Sequence, residues 1–576
     1  MRFQLADTAV QQRGGPLHCR PPLLLIPRRQ SVRTRTQFPP PLHGPLVPLN
    51  PKDEPDGGLL RLAVPLPNEK KGVAAKGAKG VRSPLIKMTN PSAPCFNLVT
   101  FDAKDPWESL LDHAKPELSL MGLKRLEPLL KGQAKSVVVE RHYIDKDYRD
   151  TFSHFHSKRF NTPPSRCLRL HFFAQTVTEA DIINGAEAVQ KNYLGYSVIR
   201  PTKPNCIGRT LISHTLRMDG KAHMSTCEEE VNLVGTKLMV RGFPFISQDS
   251  DATVCAESSL WMLLRYFSNR YSWYPEVLPF QITNTASHHA VGRRVFPSSG
   301  LYSWQMAEAL RLQHFSPIIY NHQAPQYQSN FYHLLYTYIE SGVPLLVIVP
   351  GHVIVCNGHV SDYRLPMPPP SAPPAHVYTS HFNRSLVVSD DNCFPYQLLH
   401  AGGPTQAEHS LYKWDNINEF IVALPERVFL PAEHVQTAIE KVIKDLQPMS
   451  ASLHGKRLLL RLYLTSARSF KRHLHARGMG HPDVERIYRF LPLPHFVWIC
   501  EIADYQEYAN DKKIVGELIW DATRNAHEPD GLMALHLPEK LIYDEGAAYN
   551  CPQSLKVIDL KDPKSYLLFQ SNLHTL

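Results

Sequence analysis

The hydrophobic positions between residues 89 and 576 follow two rhythms that alternate along the chain. Residues 107–130 place Trp107, Leu110, Leu111, Leu118, Leu120 and Leu123 at helix-like intervals. Residues 136–140 and 167–173 are short β-branched and aromatic runs that predict strands. Ile182, Ile183, Ala186 and Val189 predict a further helix, and residues 196–199 a further strand. Residues 232–245 alternate apolar and polar side chains and contain Gly235 and Gly242, which predicts a hairpin turning at those glycines. Beyond residue 425 a basic helix at 468–477 is followed by strand patterns at 495–502 and 513–520. The mixture, without an internal repeat, predicts an α+β protein.

Composition narrows the class. Of 576 residues, 43% are hydrophobic, 10% aromatic and 20% charged, as in an ordinary folded chain. No apolar run approaches the roughly 18 residues that a membrane-spanning helix needs. The formal charge of +10 has a single origin: residues 1–90 carry 15 Lys and Arg against 5 Asp and Glu, and the remainder is balanced at 48 of each. This confinement argues against nucleic acid as the partner of the main body. The same stretch holds 14 of the 49 prolines. It reads as a basic, Pro-rich arm (1–88) that cannot bury enough apolar surface to order itself, or as an over-extended start ahead of Met88. Its run Leu23-Leu24-Leu25-Ile26 is too short and too proline-flanked for a secretory signal. The remaining chain divides into an N-terminal α+β segment (89–230), a middle domain (231–425) and a C-terminal α+β segment (426–576).

The ten cysteines include no pair at the spacing of zinc knuckles or redox motifs, so neither a disulfide framework nor a metal site is expected. Scattered cysteines fit a reducing compartment, and the expected location is cytoplasmic. His473, His475 and His481 lack companion ligands at metal spacing, and the 468–477 helix reads as a solvated basic face. No Gly-rich phosphate loop is present, and no cofactor is expected.

Three segments of the middle domain carry chemistry. In Gln248-Asp249-Ser250-Asp251-Ala252-Thr253-Val254-Cys255, the cysteine falls in the first turn of a helix whose stripe is Leu260, Leu263, Leu264 and Phe267, with Thr253 or Asp251 as the expected cap. Unpaired amides and the macrodipole at a helix start favour a thiolate, the nucleophile of acyl transfer. Residues 342–358 predict two buried strands joined by Pro350-Gly351, with His352 heading the second. Residues 385–392 predict a strand ending in Asp390 and Asp391, either of which can accept the imidazole N–H and fix its tautomer.

In this order the three segments resemble the papain-like cysteine peptidases, most closely the peptidases that cut double-glycine leaders and their soluble relatives. The resemblance covers residues 230–400. It implies a papain-like core in which a helix bearing Cys255 packs on an antiparallel sheet bearing His352 and Asp390. It further implies Cys255 as nucleophile, His352 as general base and acid, Asp390 as the orienting acid and Gln248 as side-chain donor of the oxyanion hole. Where the family has Cys-Gly-Pro this chain has Cys255-Ala256-Glu257, and the Pro-rich stretch 366–374 separates histidine from acid. No transporter spans follow.

The expected function is a thiol hydrolase that cleaves a peptide or isopeptide bond of a polypeptide substrate through a thioester, without metal or cofactor. Two further readings remain open at this stage: a deamidase or acyl transferase using the same triad, and a catalytically silent papain-like binding module. The sequence does not fix the oligomeric state.

Overall fold

The computed structural model describes residues 96–576 apart from 101–109, 111–124, 203–206, 217–221, 250–253, 288–299, 369–375, 407–408, 447, 449, 526–530, 547–552, 563 and 576. The chain divides into two units, Met1–Lys87 and Met88–Leu576, and every described residue belongs to the second. The expected basic arm, most of the 107–130 helix and most of the Pro-rich stretch lie outside the described residues. The architecture is α+β, with the helices laid on predominantly antiparallel sheets.

The first apolar runs form an antiparallel five-stranded sheet in chain order: β1 (Phe96–Thr100), β2 (Ser136–Tyr143), β3 (Cys167–Phe173), β4 (Tyr193–Ile199) and β5 (Ile207–Ile212). The single helix expected around Ile182 and Val189 is two short ones, Glu179–Asn184 and Ala186–Gln190, because Gly185 between them adopts φ 113°. The hairpin also differs from expectation. Its strands are β7 (Cys227–Leu233) and β8 (Thr236–Gly242), which turn at Val234-Gly235, while Gly242 ends a strand and makes no turn. Gly242 is required there for another reason: a Cβ would sit 2.2 Å from the Ile212 carbonyl oxygen.

The second sheet has the order β14 (Gln397–His400), β13 (Asn383–Ser389), β11 (His352–Ser361), β10 (Leu345–Val349), β15 (Glu419–Pro425) and β9 (Phe315–Asn321). Two short strands from distant parts of the chain extend it, β6 (Ala222–Met224) on β11 and β24 (His574–Thr575) on β6. The helix Cys255–Arg270 lies across this sheet with Ala256, Leu260, Leu263, Leu264 and Phe267 in the core. Two hydrogen bonds fix its placement. Ser259 Oγ donates to the Val353 carbonyl (3.1 Å) and the Tyr266 hydroxyl to the Gly342 carbonyl (3.0 Å).

The third sheet runs β12 (His376–Tyr378), β16 (Leu458–Ser466), β17 (Phe496–Ala503), β19 (Gly516–Asp521), β20 (Leu532–Leu537), β21 (Lys540–Asp544) and β22 (Leu555–Asp559). Its β12 comes from the middle of the chain and pairs parallel with β16. The expected strand at 513–520 is interrupted: β18 (Lys513–Ile514) leaves to pair with β23 (Tyr566–Leu567). The helix expected at 468–477 spans Ala467–Arg477, and its last residue is not on a solvated face. Arg477 is buried and donates to Glu517 (2.7 Å) and Glu501 (3.2 Å). Glu501 and Glu340 are bridged in turn by Arg461, which donates to both (2.8 and 2.6 Å). This buried chain of charges joins the third sheet to the helix Phe331–Glu340 of the second. Among the described residues no helix is long and apolar enough to cross a membrane.

Candidate functional site

Cys255 is the first residue of its helix, as the spacing predicts. The cap differs from expectation. Val254 occupies the N-cap in extended backbone with no side-chain cap bond, and Asp251 and Thr253 lie outside the described residues. A valine cannot accept the first-turn amides, so the side-chain acceptor that Ser, Thr or Asp would offer there is missing. Cys255 is half-buried, whereas Cys356 on β11 is fully buried, its thiol pushed up to about 12 by desolvation. The described cysteines, Cys167, Cys227, Cys255, Cys356, Cys393 and Cys500, are all free thiols.

His352 opens β11 directly after the β10–β11 turn, where Val349 pairs with His352 across the hairpin. Gly351 has φ +71°, a conformation that side-chain-bearing residues rarely adopt, so the Pro-Gly pair sets where the histidine starts its strand. His352 is 8% exposed. Nε2 lies 2.8 Å from Asp390 Oδ1 and 3.3 Å from Asp391 Oδ1, and the Cys255 side chain is a hydrogen-bond partner of the same ring. Burial pulls the imidazole down. The hydrogen bonds from Asp390 and Cys255 and the charges of Asp390 and Asp391 more than offset it, holding His352 up at about 10.

Both carboxylates follow the end of β13, and both are buried. The chain turns there: the Cys393 amide donates to the Asp390 carbonyl and the Asn392 amide to Asp390 Oδ1, each at 2.9 Å. Asp390 Oδ1 therefore accepts from a backbone amide and from His352 together. Asp391 is set apart by burial, which pushes its carboxyl up to about 7 against the pull of His352. Arg125 donates to the Asp391 carbonyl oxygen (3.1 Å). His352, Asp390 and Asp391 also offer ligand atoms within 4.8 Å of one another, a geometry that admits a cation. In the arrangement described, the ring nitrogen that faces the acids is engaged with Asp390.

The backbone of Gln248 is a hydrogen-bond partner of Asp391, and its side chain reaches the same cluster through a residue that the sequence pattern did not single out. Its Nε2 donates to Asn392 Oδ1, and Asn392 Nδ2 lies 3.4 Å from His352 Nε2. Tyr412 stacks on the His352 ring at 6.2 Å and 24°. The Asp-Asp-Asn run at a strand end is a local turn signal that points to Asn392. Arg125 and Tyr412 carry no such signal, since only the fold brings them to the site. Comparison with protein-family models, curated proteins and solved structures finds no match.

Proposed function

We propose that the chain is a thiol hydrolase with a papain-like core, acting on a peptide or isopeptide bond through Cys255, His352 and Asp390. The observation that carries this reading is the imidazole of His352 held between Cys255 and Asp390 on rigid elements, with its charged form favoured up to about pH 10. An imidazolium beside a thiol at a helix start is the pairing that sustains a nucleophilic thiolate.

The mechanism follows from the proton's position. The Cys255 thiolate attacks the carbonyl carbon, and the oxyanion is received by the Gln248 amide and the Cys255 backbone amide. His352 gives its proton to the leaving amine as the C–N bond breaks, leaving a thioester. The neutral imidazole then takes a proton from water, whose oxygen displaces the thiolate and releases the acid. Asp390 holds the ring throughout. The reaction needs no redox partner, and its substrate class is a polypeptide.

Alkylation of Cys255 by iodoacetamide between pH 4 and 9, followed by mass spectrometry, tests the pairing. Fast labelling that persists well below pH 8 and collapses in His352→Ala is the expected result. Labelling that rises only near pH 8.5 and ignores His352 overturns the hydrolase and leaves a papain-like binding module.

A further inference from the structure

We infer that Asn392 is a positioning residue that ties the oxyanion donor Gln248 to the turn holding His352. The inference rests on the thiol-hydrolase reading of the site and assigns a role to a residue outside the triad.

Asn392 presents three polar groups to the site. Its backbone amide donates to Asp390 Oδ1 (2.9 Å), the oxygen that also accepts from His352. The backbone of Asn392 is thus locked to the acid. Its side-chain oxygen accepts from Gln248 Nε2. Its Nδ2 is 3.4 Å from His352 Nε2, a contact too long for a strong bond and directed at a ring nitrogen already engaged with Asp390. The bond to Gln248 is therefore the one that gives the side chain its role.

That bond matters because of where Gln248 sits. It is half-buried, two residues before the segment 250–253, and its side chain has three rotatable torsions of its own. A primary amide has two N–H groups. With one donated to Asn392, the amide plane is fixed and the second N–H has a defined direction. Preorganised donors stabilise an oxyanion because they need no reorientation as charge develops. An unclasped glutamine would have to order itself in the transition state, losing side-chain entropy at that moment. The histidine and the oxyanion donor are thereby both tethered by hydrogen bonds to one piece of backbone, the turn at residues 390–393 that carries Asp390.

The experiment separates oxyanion stabilisation from thiolate formation by using two electrophiles on the full-length chain. Iodoacetamide alkylates Cys255 by displacement at a saturated carbon and forms no oxyanion. With p-nitrophenyl acetate the thiolate adds to the carbonyl, the oxyanion collapses, p-nitrophenolate leaves, and water later releases acetate from the thioester. Cys255→Ala supplies the background for both.

Asn392→Ala is expected to slow Cys255 acetylation by at least about tenfold, the lower side of the loss of one oxyanion donor, while alkylation stays within about threefold. Gln248→Ala should show the same selective loss, and the double variant should be no slower than Gln248→Ala alone, because one residue acts through the other. Asn392→Asp keeps the turn amide and an acceptor oxygen for Gln248 and should retain most of the acetylation rate, which provides a readout even where the alanine variant fails to fold.

Equal losses in both reactions for Asn392→Ala, multiplying losses in the double variant, or an Asn392→Asp variant as slow as Gln248→Ala overturn the role of Asn392 alone. A wild-type Cys255 that is neither acetylated above the Cys255→Ala background nor alkylated in a His352-dependent way overturns the hydrolase reading, and the role of Asn392 with it.

Discussion

His352 and Asp390, 38 residues apart in sequence, are joined by a 2.8 Å hydrogen bond in a buried site. The bond joins the first residue of one strand to the residue that follows the end of its neighbour. Because β11 and β13 pair antiparallel, with Val355 opposite Ser389, the start of one and the end of the other fall at the same end of the sheet.

This bond makes stability depend on pH in a definite direction. The folded imidazole titrates at about 10, above its ordinary 6.5, so its contribution is complete below about pH 6.5 and is lost as pH rises toward 10. Each pH unit across such a window is worth about 1.4 kcal/mol for a fully coupled group. Urea denaturation at pH 6, 8 and 10 should show the stability gap between wild type and His352→Gln narrowing across that series. A gap that is constant or widens is inconsistent with the raised imidazole.

Asp391 shifts stability in the same direction with pH, but as a cost of its charged form rather than as the loss of a favourable one. Its folded carboxyl is pushed up to about 7 from 3.8, so it costs stability increasingly as pH rises from about 4 to 7 and fully above that. Asp391→Asn should therefore gain stability relative to wild type between pH 5 and 8. Asp390→Asn, which replaces the acceptor of the 2.8 Å bond by a neutral amide, should instead lower the His352 titration and slow low-pH alkylation of Cys255. Thermal melts and the alkylation profile distinguish the two acids, and a swap of the two phenotypes would assign the orienting role to Asp391.

The two central cysteines should part company under alanine substitution. Cys255→Ala removes a half-buried thiol and should abolish activity with less than about 1 kcal/mol of destabilisation, as for a substitution that empties no core site. Cys356→Ala leaves a gap beneath β11, in the core cluster, and should cost about 1 to 2 kcal/mol by chemical denaturation while sparing alkylation of Cys255.

Arg461 is buried between Glu340 and Glu501 and also donates to the Phe569 carbonyl (2.7 Å). Arg461→Ala removes the cation shared by two buried carboxylates, leaving Glu340 with His359 and Glu501 with Arg477, and should destabilise by about 3 to 5 kcal/mol, the scale for one partner removed from a buried ionic cluster. Adding Glu340→Gln to that variant should recover part of the loss, measurable in the same denaturation series.

Gly342 offers a steric test of the chain's C-terminal passage. It has φ +72°, and a Cβ there would lie 2.7 Å from the Asn572 carbonyl oxygen. Gly342→Ala should lower the melting temperature through both strain and displacement of residues 571–573, with increased proteolysis near the C-terminus as the local readout.

Much of the local structure was legible in the sequence. The helix beginning at Cys255, the strand pair around Pro350-Gly351 and the strand ending just before Asp390 follow from patterns of period 3.6 and 2, which depend on nearest neighbours along the chain. So does Gly351, whose backbone angle its neighbours cannot adopt without strain. Errors arose where local and tertiary demands diverge. Gly242 looks like a turn residue but is small because the Ile212 carbonyl passes above it. Arg477 looks like the end of a solvated basic helix but is drawn inside by Glu501 and Glu517, which the sequence places 24 and 40 residues away.

The sequence by itself determined the element types, the balanced charge of the main body and the three segments in which a thiol, an imidazole and a carboxylate head or end rigid elements. Only the tertiary structure decided that Cys255 and Asp390 meet one imidazole, that Gln248 arrives through Asn392, and that the C-terminal strand β24 returns to the second sheet. The physical reason is one of range. Periodicity and backbone preference act over a few residues and leave their mark in composition, whereas pairing across tens or hundreds of residues is selected by the burial and hydrogen bonding of the whole chain.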